Sequence, residues 1–147
     1  MIKKYYIILT VLLVSAGIIF YGIQNKGKYN SPDFNDSSRQ KYTDITAEKL
    51  KEMLKNKDFY LVNVHIPYEG EIENTDAFIP FDQIEKNLNK FPEDKNTKIV
   101  LYCQSGRMSV LASKSLSQLG YSKVFNLLLG MHDWQSKGFP LKLPKSS

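Results

Sequence analysis

The feature that most constrains the fold is an almost unbroken apolar run, Lys98-Ile-Val-Leu-Tyr102. A strand with one face in water alternates polar and apolar residues, whereas a parallel strand covered on both faces is apolar throughout. Residues 59–64 and 124–127 are short and rich in β-formers, so they are also predicted strands. Helical patterns separate the three strands, and this alternation predicts an α/β fold with a mainly parallel sheet.

Four helices are predicted between and after these strands. Thr46 can cap the first helix, and Asp82, with a glutamate three residues later, can cap the second. Residues 110–119 form the third helix, and Gly130 introduces a short fourth helix that holds Trp134 as a core anchor. The inner faces of the first two helices are predicted to carry Leu50, Met53 and Leu54, and Ile84, Leu88 and Phe91, respectively.

The N-terminal segment has a different character. Residues 5–23 contain no charged side chain and follow Lys3 and Lys4. Because about 20 apolar residues are needed to span a bilayer, this segment is predicted to be a single transmembrane anchor behind a short cytoplasmic tail, residues 1–4. The alternative is a signal peptide cleaved near Val14-Ser15-Ala16. Either interpretation places the folded part outside the cytoplasm.

The remaining boundaries follow from composition and charge. Residues 24–42 are polar and predict a flexible linker, residues 43–141 the folded domain, and residues 142–147 a short tail. Residues 1–42 contain six basic and two acidic side chains, so they carry +4 of the formal net charge of +5. A nearly neutral domain lacks the basic surface that nucleic-acid binding requires.

Cys103 is the only cysteine, which rules out an intramolecular disulfide. It follows the predicted buried strand and precedes a glycine-containing turn and a helix, where backbone amides and the helix N-terminus favour an anionic sulfur. Gly106 permits the turn, and Arg107 can hold an anionic substrate. From these residues alone, an inert cysteine that ends a strand is an equally good interpretation.

The match to a known family extends well beyond this turn. Cys103-Gln-Ser-Gly106-Arg-Met-Ser109 resembles the Cys-Arg-Ser-Gly-x-Arg-Ser loop of the rhodanese (sulfurtransferase) family. Leu61-Val-Asn-Val-His65-Ile-Pro67-Tyr-Glu69 is similar to that family's Leu-Ile-Asp-Val-Arg-x-Pro-x-Glu. Other residues also follow the family pattern: Gly70-Glu-Ile72, Ile79-Pro80, Leu119-Gly120-Tyr121, Val124, Gly130, Trp134, Gly138 and Pro140.

The resemblance implies a three-layer α/β domain with a five-stranded parallel sheet. It implies that Cys103 is the catalytic residue and takes up a sulfane sulfur as a persulfide, from thiosulfate or a related anionic donor, for transfer to a thiol or cyanide. No cofactor and no metal are implied. The residues implied to bind substrate are Gln104, Ser105, Gly106, Arg107, Met108 and Ser109.

Several positions depart from the family pattern and leave the substrate preference open. Asn63 replaces an aspartate and His65 an arginine, which predicts the loss of a structural ion pair. Glu71 stands where histidine is common, Glu73-Asn-Thr-Asp76 replaces a Pro-Gly turn, and Leu129 replaces a glycine. The acidic residues Glu69, Glu71, Glu73 and Asp76 are expected to form a solvated loop rather than a metal site, because they lack a ligand spacing. Neither His65 nor His132 is expected to form a catalytic pair with the cysteine, and His132 is expected at the surface.

Two rival functions remain. A cysteine phosphatase or arsenate reductase needs an arginine six residues after its cysteine, where this chain has Ser109, while Arg107 comes two residues too early. A binding module that has kept the fold and lost the chemistry is the other alternative, although such modules typically lose the cysteine.

Overall fold

The computed structural model of this protein describes residues 41–144. A five-stranded sheet organises them, with β1 at Thr43–Ile45, β2 at Tyr60–Asn63, β4 at Ala77–Phe78, β5 at Ile99–Tyr102 and β6 at Val124–Leu127. The strand order is β1-β6-β5-β2-β4, and every neighbouring pair is parallel. A separate antiparallel pair joins β3 (Glu71–Ile72) to β7 (Leu141–Lys142). The predicted parallel α/β architecture is confirmed.

Three α-helices cover the sheet: α1 at Ala47–Met53, α2 at Arg107–Gln118 and α3 at Gly130–Ser136. Thr46 caps α1 as predicted, since its Oγ1 accepts a hydrogen bond from the amide of Lys49 at 3.2 Å. A short 3-10 turn, Leu54–Asn56, follows α1. Helix α2 begins directly after Gly106, three residues before its predicted start, so that its first turn belongs to the cysteine loop.

The second predicted helix is not an α-helix, so this prediction is wrong. The chain forms two 3-10 segments here, Phe81–Gln83 and Glu85–Lys90, and the expected cap at Asp82 does not form. The 3-10 pattern is visible at Asn87, whose backbone amide donates to the carbonyl of Ile84, three residues back, at 3.1 Å, while its side-chain amide donates to the carbonyl of Gln83 at 2.9 Å. The predicted inner face is nevertheless retained by the buried residues Ile84 and Phe91 and the partly buried Leu88.

The core lies in two layers, one on each face of the sheet. Strand β5 contributes to both, since Ile99 and Leu101 pack with α2 on one face while Val100 and Tyr102 pack with α1 and α3 on the other. All four residues of this strand are buried. The apolar run from residue 99 to residue 102 is therefore a central strand covered on both faces, as predicted.

The predicted membrane anchor, residues 5–23, the cytoplasmic tail and nearly all of the linker lie outside the described residues. Within residues 41–144, no helix combines the length and the apolar character needed to cross a membrane.

Candidate active site

Cys103 lies at the carboxyl end of β5, the central strand of the sheet, and is 1% exposed. The chain turns sharply after it and enters α2 at Arg107. Ligands of open parallel sheets bind beyond the carboxyl ends of the strands. The fold thus places the single cysteine at the edge of the sheet where such a site is expected.

Two groups of the loop contact the sulfur. The amide of Gly106 donates a hydrogen bond to Sγ at 3.1 Å, and the hydroxyl of Ser109 lies 3.5 Å from Sγ. Gly106 adopts φ +88°, a left-handed conformation that favours glycine, and a Cβ there would approach the amide nitrogen of Leu129 to 3.1 Å. The sulfur therefore has a backbone amide aimed at it, which suits an anionic sulfur species. The Ser109 hydroxyl also lies 3.1 Å from the carbonyl of Gly106, so it can donate to either acceptor.

The first turn of α3 supports the loop from beneath. The amide of Met131 donates to the carbonyl of Cys103 at 2.8 Å, and the amide of His132 donates to the carbonyl of Gln104 at 2.9 Å. Gly130 has φ +59°, and a Cβ built on it would lie 2.1 Å from the Cys103 carbonyl oxygen. Only a residue without a side chain fits there, because the two backbones are in contact.

The loop after β2 lies beside the cysteine loop and forms a second wall of the candidate site. Because β2 and β5 are parallel neighbours, the segments that follow them meet at the same edge. Gln104 Nε2 donates to Glu69 Oε2, and the same oxygen lies 3.0 Å from Nε2 of the buried His65. Asn63 orders this wall, since its Oδ1 accepts from the His65 amide and its Nδ2 donates to the carbonyl of Gly70, both at 2.9 Å.

These contacts explain two of the departures from the family pattern. No ion pair joins positions 63 and 65, and the two residues instead share the hydrogen bonds that shape the loop from residue 63 to residue 70. The link from His65 through Glu69 to Gln104 was not predicted, although all three residues were identified in the sequence. No histidine is among the groups that contact Cys103 Sγ, and His132 is exposed as expected.

None of the other residues implied to bind substrate is hydrogen-bonded to the sulfur. Ser105 and Arg107 are exposed, and Met108 packs partly against the core beneath α2. Within residues 41–144, the guanidinium of Arg107 forms no ion pair.

Tyr102, the last residue of β5, makes hydrogen bonds through its buried hydroxyl. Its hydroxyl accepts a hydrogen bond from the amide of Ile72 at 3.0 Å and lies 2.7 Å from Oγ1 of Thr75. Burial raises the pKa of Tyr102 above its usual value, so the phenol stays neutral. The residue before the cysteine is thereby fixed to the β3 segment.

The acidic segment is exposed at Glu69, Glu73 and Asp76, as expected, and two of its carboxylates also pair with lysines. Asp76 accepts from the Leu61 amide at 2.7 Å and pairs with Lys57 at 2.6 Å, while Glu71 pairs with Lys142 at 3.3 Å. In the described part of the chain, no group of three histidine, cysteine or acidic side chains could hold a metal ion. These acidic residues tie neighbouring segments together.

The Rhodanese-like domain family matches residues 46–137 of this chain. The sulfurtransferase of Allochromatium vinosum is 34% identical over 106 residues, covering 69% of this chain and 96% of that protein. The thiosulfate sulfurtransferase PspE of Escherichia coli is 30% identical over 67 residues, covering 44% of this chain and 64% of that protein. Several other curated relatives are longer, and the chain spans about a third of their length.

Solved structures share the architecture. The rhodanese-like domain protein of Staphylococcus aureus has 31% sequence identity and a TM-score of 0.59, covering 70% of this chain and 99% of that one. The sulfurtransferases among the relatives support a function in sulfur transfer in general. The family match extends over more than half of the residues of this chain, so the chain belongs to the rhodanese-like domain family.

Proposed function

We propose that this protein is a sulfurtransferase that carries sulfane sulfur as a persulfide on Cys103 and passes it to a thiol or to cyanide. The observation that carries the proposal is the hydrogen bond from the Gly106 amide to Cys103 Sγ, 3.1 Å long, at the carboxyl end of the central strand. An amide aimed at the sulfur stabilises negative charge there whichever donor delivered it.

The proposed reaction has two steps. The Cys103 thiolate attacks the outer sulfur of a donor such as thiosulfate, the sulfur–sulfur bond of the donor breaks, and sulfite leaves with the bonding electron pair. An acceptor thiolate or cyanide then attacks the terminal sulfur of the persulfide, and Cys103 departs as a thiolate. Neither step requires an external oxidant or reductant. The relative named as a thiosulfate sulfurtransferase supports thiosulfate as the donor to test first.

The exposed Arg107 is proposed to attract the anionic donor, while the rest of the loop holds the sulfur. Ser109, at 3.5 Å from Sγ, supports sulfur transfer over phosphatase or arsenate reductase chemistry, since that position would then require an arginine to grip a tetrahedral oxyanion. The retained cysteine and its donor-lined position favour an active enzyme over a binding module.

The site of action is proposed from the N-terminal sequence alone. Lys3 and Lys4 before the apolar residues 5–23 favour an anchor that leaves the folded domain on the outer face of the cytoplasmic membrane. Cleavage of the segment would release the domain on the same side.

The direct test is mass spectrometry of the protein after incubation with thiosulfate, together with a thiosulfate:cyanide assay. We expect Cys103 to gain the mass of one sulfur atom and to lose it on adding cyanide. Cys103→Ser should abolish thiocyanate formation, because no other thiol exists in the chain, and should leave the circular dichroism spectrum unchanged. Comparable activity in the serine variant would contradict the assignment.

A further inference from the structure

The carboxylate of Glu69 stands at the mouth of the cysteine loop. Its Oε2 accepts a hydrogen bond from the side chain of Gln104, the residue next to Cys103, and lies 3.0 Å from His65 Nε2. The Glu69 side chain is 46% exposed, whereas that of His65 is 7% exposed. A carboxylate is therefore held against the residue that follows Cys103 and remains accessible to whatever approaches the loop.

The charges around this mouth are few. Arg107 is the only charged residue between positions 103 and 109. A groove lined by Ser105, Leu129, His132, Asp133 and Ser136 borders the loop at Ser105 and adds another carboxylate, that of Asp133. Arg107 thus gives the loop a single positive charge, while Glu69 and Asp133 place two carboxylates next to the loop, so the charge of a donor affects its approach.

Electrostatic repulsion from a fixed carboxylate scales with the charge of the approaching donor. Thiosulfate carries two negative charges, while a thiosulfonate, which delivers the same sulfane sulfur, carries one. The two donors react alike, since a sulfur–sulfur bond breaks in each and sulfite or a sulfinate leaves. Glu69 should penalise thiosulfate about twice as strongly in free energy as a thiosulfonate.

Building on the sulfurtransferase function proposed above, we propose that Glu69 is a specificity-determining residue that favours singly charged sulfane-sulfur donors, such as thiosulfonates and organic persulfides, over thiosulfate. The hydrogen bond from Gln104 holds the carboxylate at the loop. A member of the family with arginine after its cysteine would carry a positive charge where this chain has the neutral amide of Gln104.

The experiment compares the rates at which Cys103 is loaded by thiosulfate and by methanethiosulfonate, using the full-length protein in single-turnover reactions followed by mass spectrometry. Glu69→Gln keeps the size and an acceptor oxygen, and it removes the charge. We expect it to raise the ratio of thiosulfate to methanethiosulfonate loading about three- to tenfold at low ionic strength. The change should shrink near 1 M salt, where the Debye length is about 3 Å.

Two control variants separate charge from structure. Glu93→Gln makes the same change of charge in the exposed segment before β5, at the opposite end of the sheet, and should leave the ratio unchanged. Glu69→Asp retains the charge and should also keep the ratio of the unsubstituted protein, even if both rates fall. A purely structural role would instead lower both rates together in the two Glu69 variants.

The outcomes distinguish this proposal from the one on which it rests. Normal loading with a ratio that Glu69→Gln does not change would overturn the role of Glu69 and leave the sulfurtransferase function intact. Failure of the unsubstituted protein to load with either donor would overturn the function, and the role of Glu69 with it.

Discussion

At the scale of single residues, we propose that different groups of the loop after β5 stabilise the sulfur and attract the donor. The Gly106 amide reaches Cys103 Sγ at 3.1 Å, whereas the side chain of Arg107 is exposed and has no ion-pair partner among the described residues. Backbone amides act on the sulfur in every state, while a surface guanidinium acts on an anion before it reacts.

This division predicts the behaviour of Arg107→Ala. Loading by thiosulfate should slow by the equivalent of about 1.5–3 kcal/mol, the contribution of one charge-assisted hydrogen bond. The lifetime of the preformed persulfide should change little, because the Gly106 amide remains. Loading rate against thiosulfate concentration and persulfide decay are the two measurements.

Lys114→Ala is the matched control, since it removes a positive charge from an exposed position further along α2. It should change neither quantity. Equal losses of loading rate and of persulfide lifetime in Arg107→Ala would show that the arginine belongs to the sulfur site itself.

At the scale of elements, the cysteine loop depends on the backbone contact with α3. Gly130 brings the amides of Met131 and His132 to the carbonyls of Cys103 and Gln104, at 2.8 and 2.9 Å. The neighbouring Leu129 adopts a left-handed φ of +58°, which is unfavourable for a residue with a side chain. The close approach of α3 to the loop is therefore maintained with some backbone strain.

Gly130→Ala should therefore be costly. The new Cβ would lie 2.1 Å from the Cys103 carbonyl oxygen, so the two segments must separate and lose at least one hydrogen bond. We expect the free energy of unfolding to fall by about 2–4 kcal/mol, from the lost hydrogen bond together with strain at positive φ. Urea denaturation measures this loss, and persulfide loading should fall with it.

Gly120→Ala provides the comparison. Gly120 also has positive φ, +95°, but a Cβ there would meet no atom within 4 Å. Only the backbone strain remains, so the loss should be about 1 kcal/mol and loading should be normal. Equal losses in the two alanine variants would contradict the importance of the close contact between α3 and the loop.

At the scale of the whole molecule, the sequence predicts an anchored enzyme. The full-length protein should remain in the membrane fraction after high-salt and carbonate washes, because a spanning helix is not held by charge. A version that begins at Lys41 should be soluble. Protease added to cells with a permeabilised outer layer should digest the domain if it lies outside the cytoplasm.

Two results would change this prediction. A mature N-terminus near Gly17 would show that the apolar segment is a cleaved signal peptide. Protection of the domain until the cytoplasmic membrane is lysed would place the chemistry in the cytosol.

Local patterns were sufficient to predict the elements that each segment specifies by itself. The apolar runs identified β2, β5 and β6, the hydroxyl of Thr46 identified the start of α1, and Cys103 was placed at a strand end. These features depend on burial and capping, and both can be recognised from the types of residues that lie close together in the sequence. The short strand β1 was found only in the structure, since its three residues become a strand by pairing with β6.

Contacts between distant segments were decided by the tertiary structure. Glu69 and Gln104 are 35 positions apart in sequence and meet because β2 and β5 are parallel neighbours. Residues 81–90 form 3-10 turns where an α-helix was predicted, with the side chain of Asn87 bonded to the carbonyl of Gln83. A sequence pattern shows that a residue is buried or polar, but not which partner the packed sheet brings to it. The position of Cys103 at the end of a buried strand was therefore predictable from the sequence, whereas the carboxylate bonded to Gln104 was not.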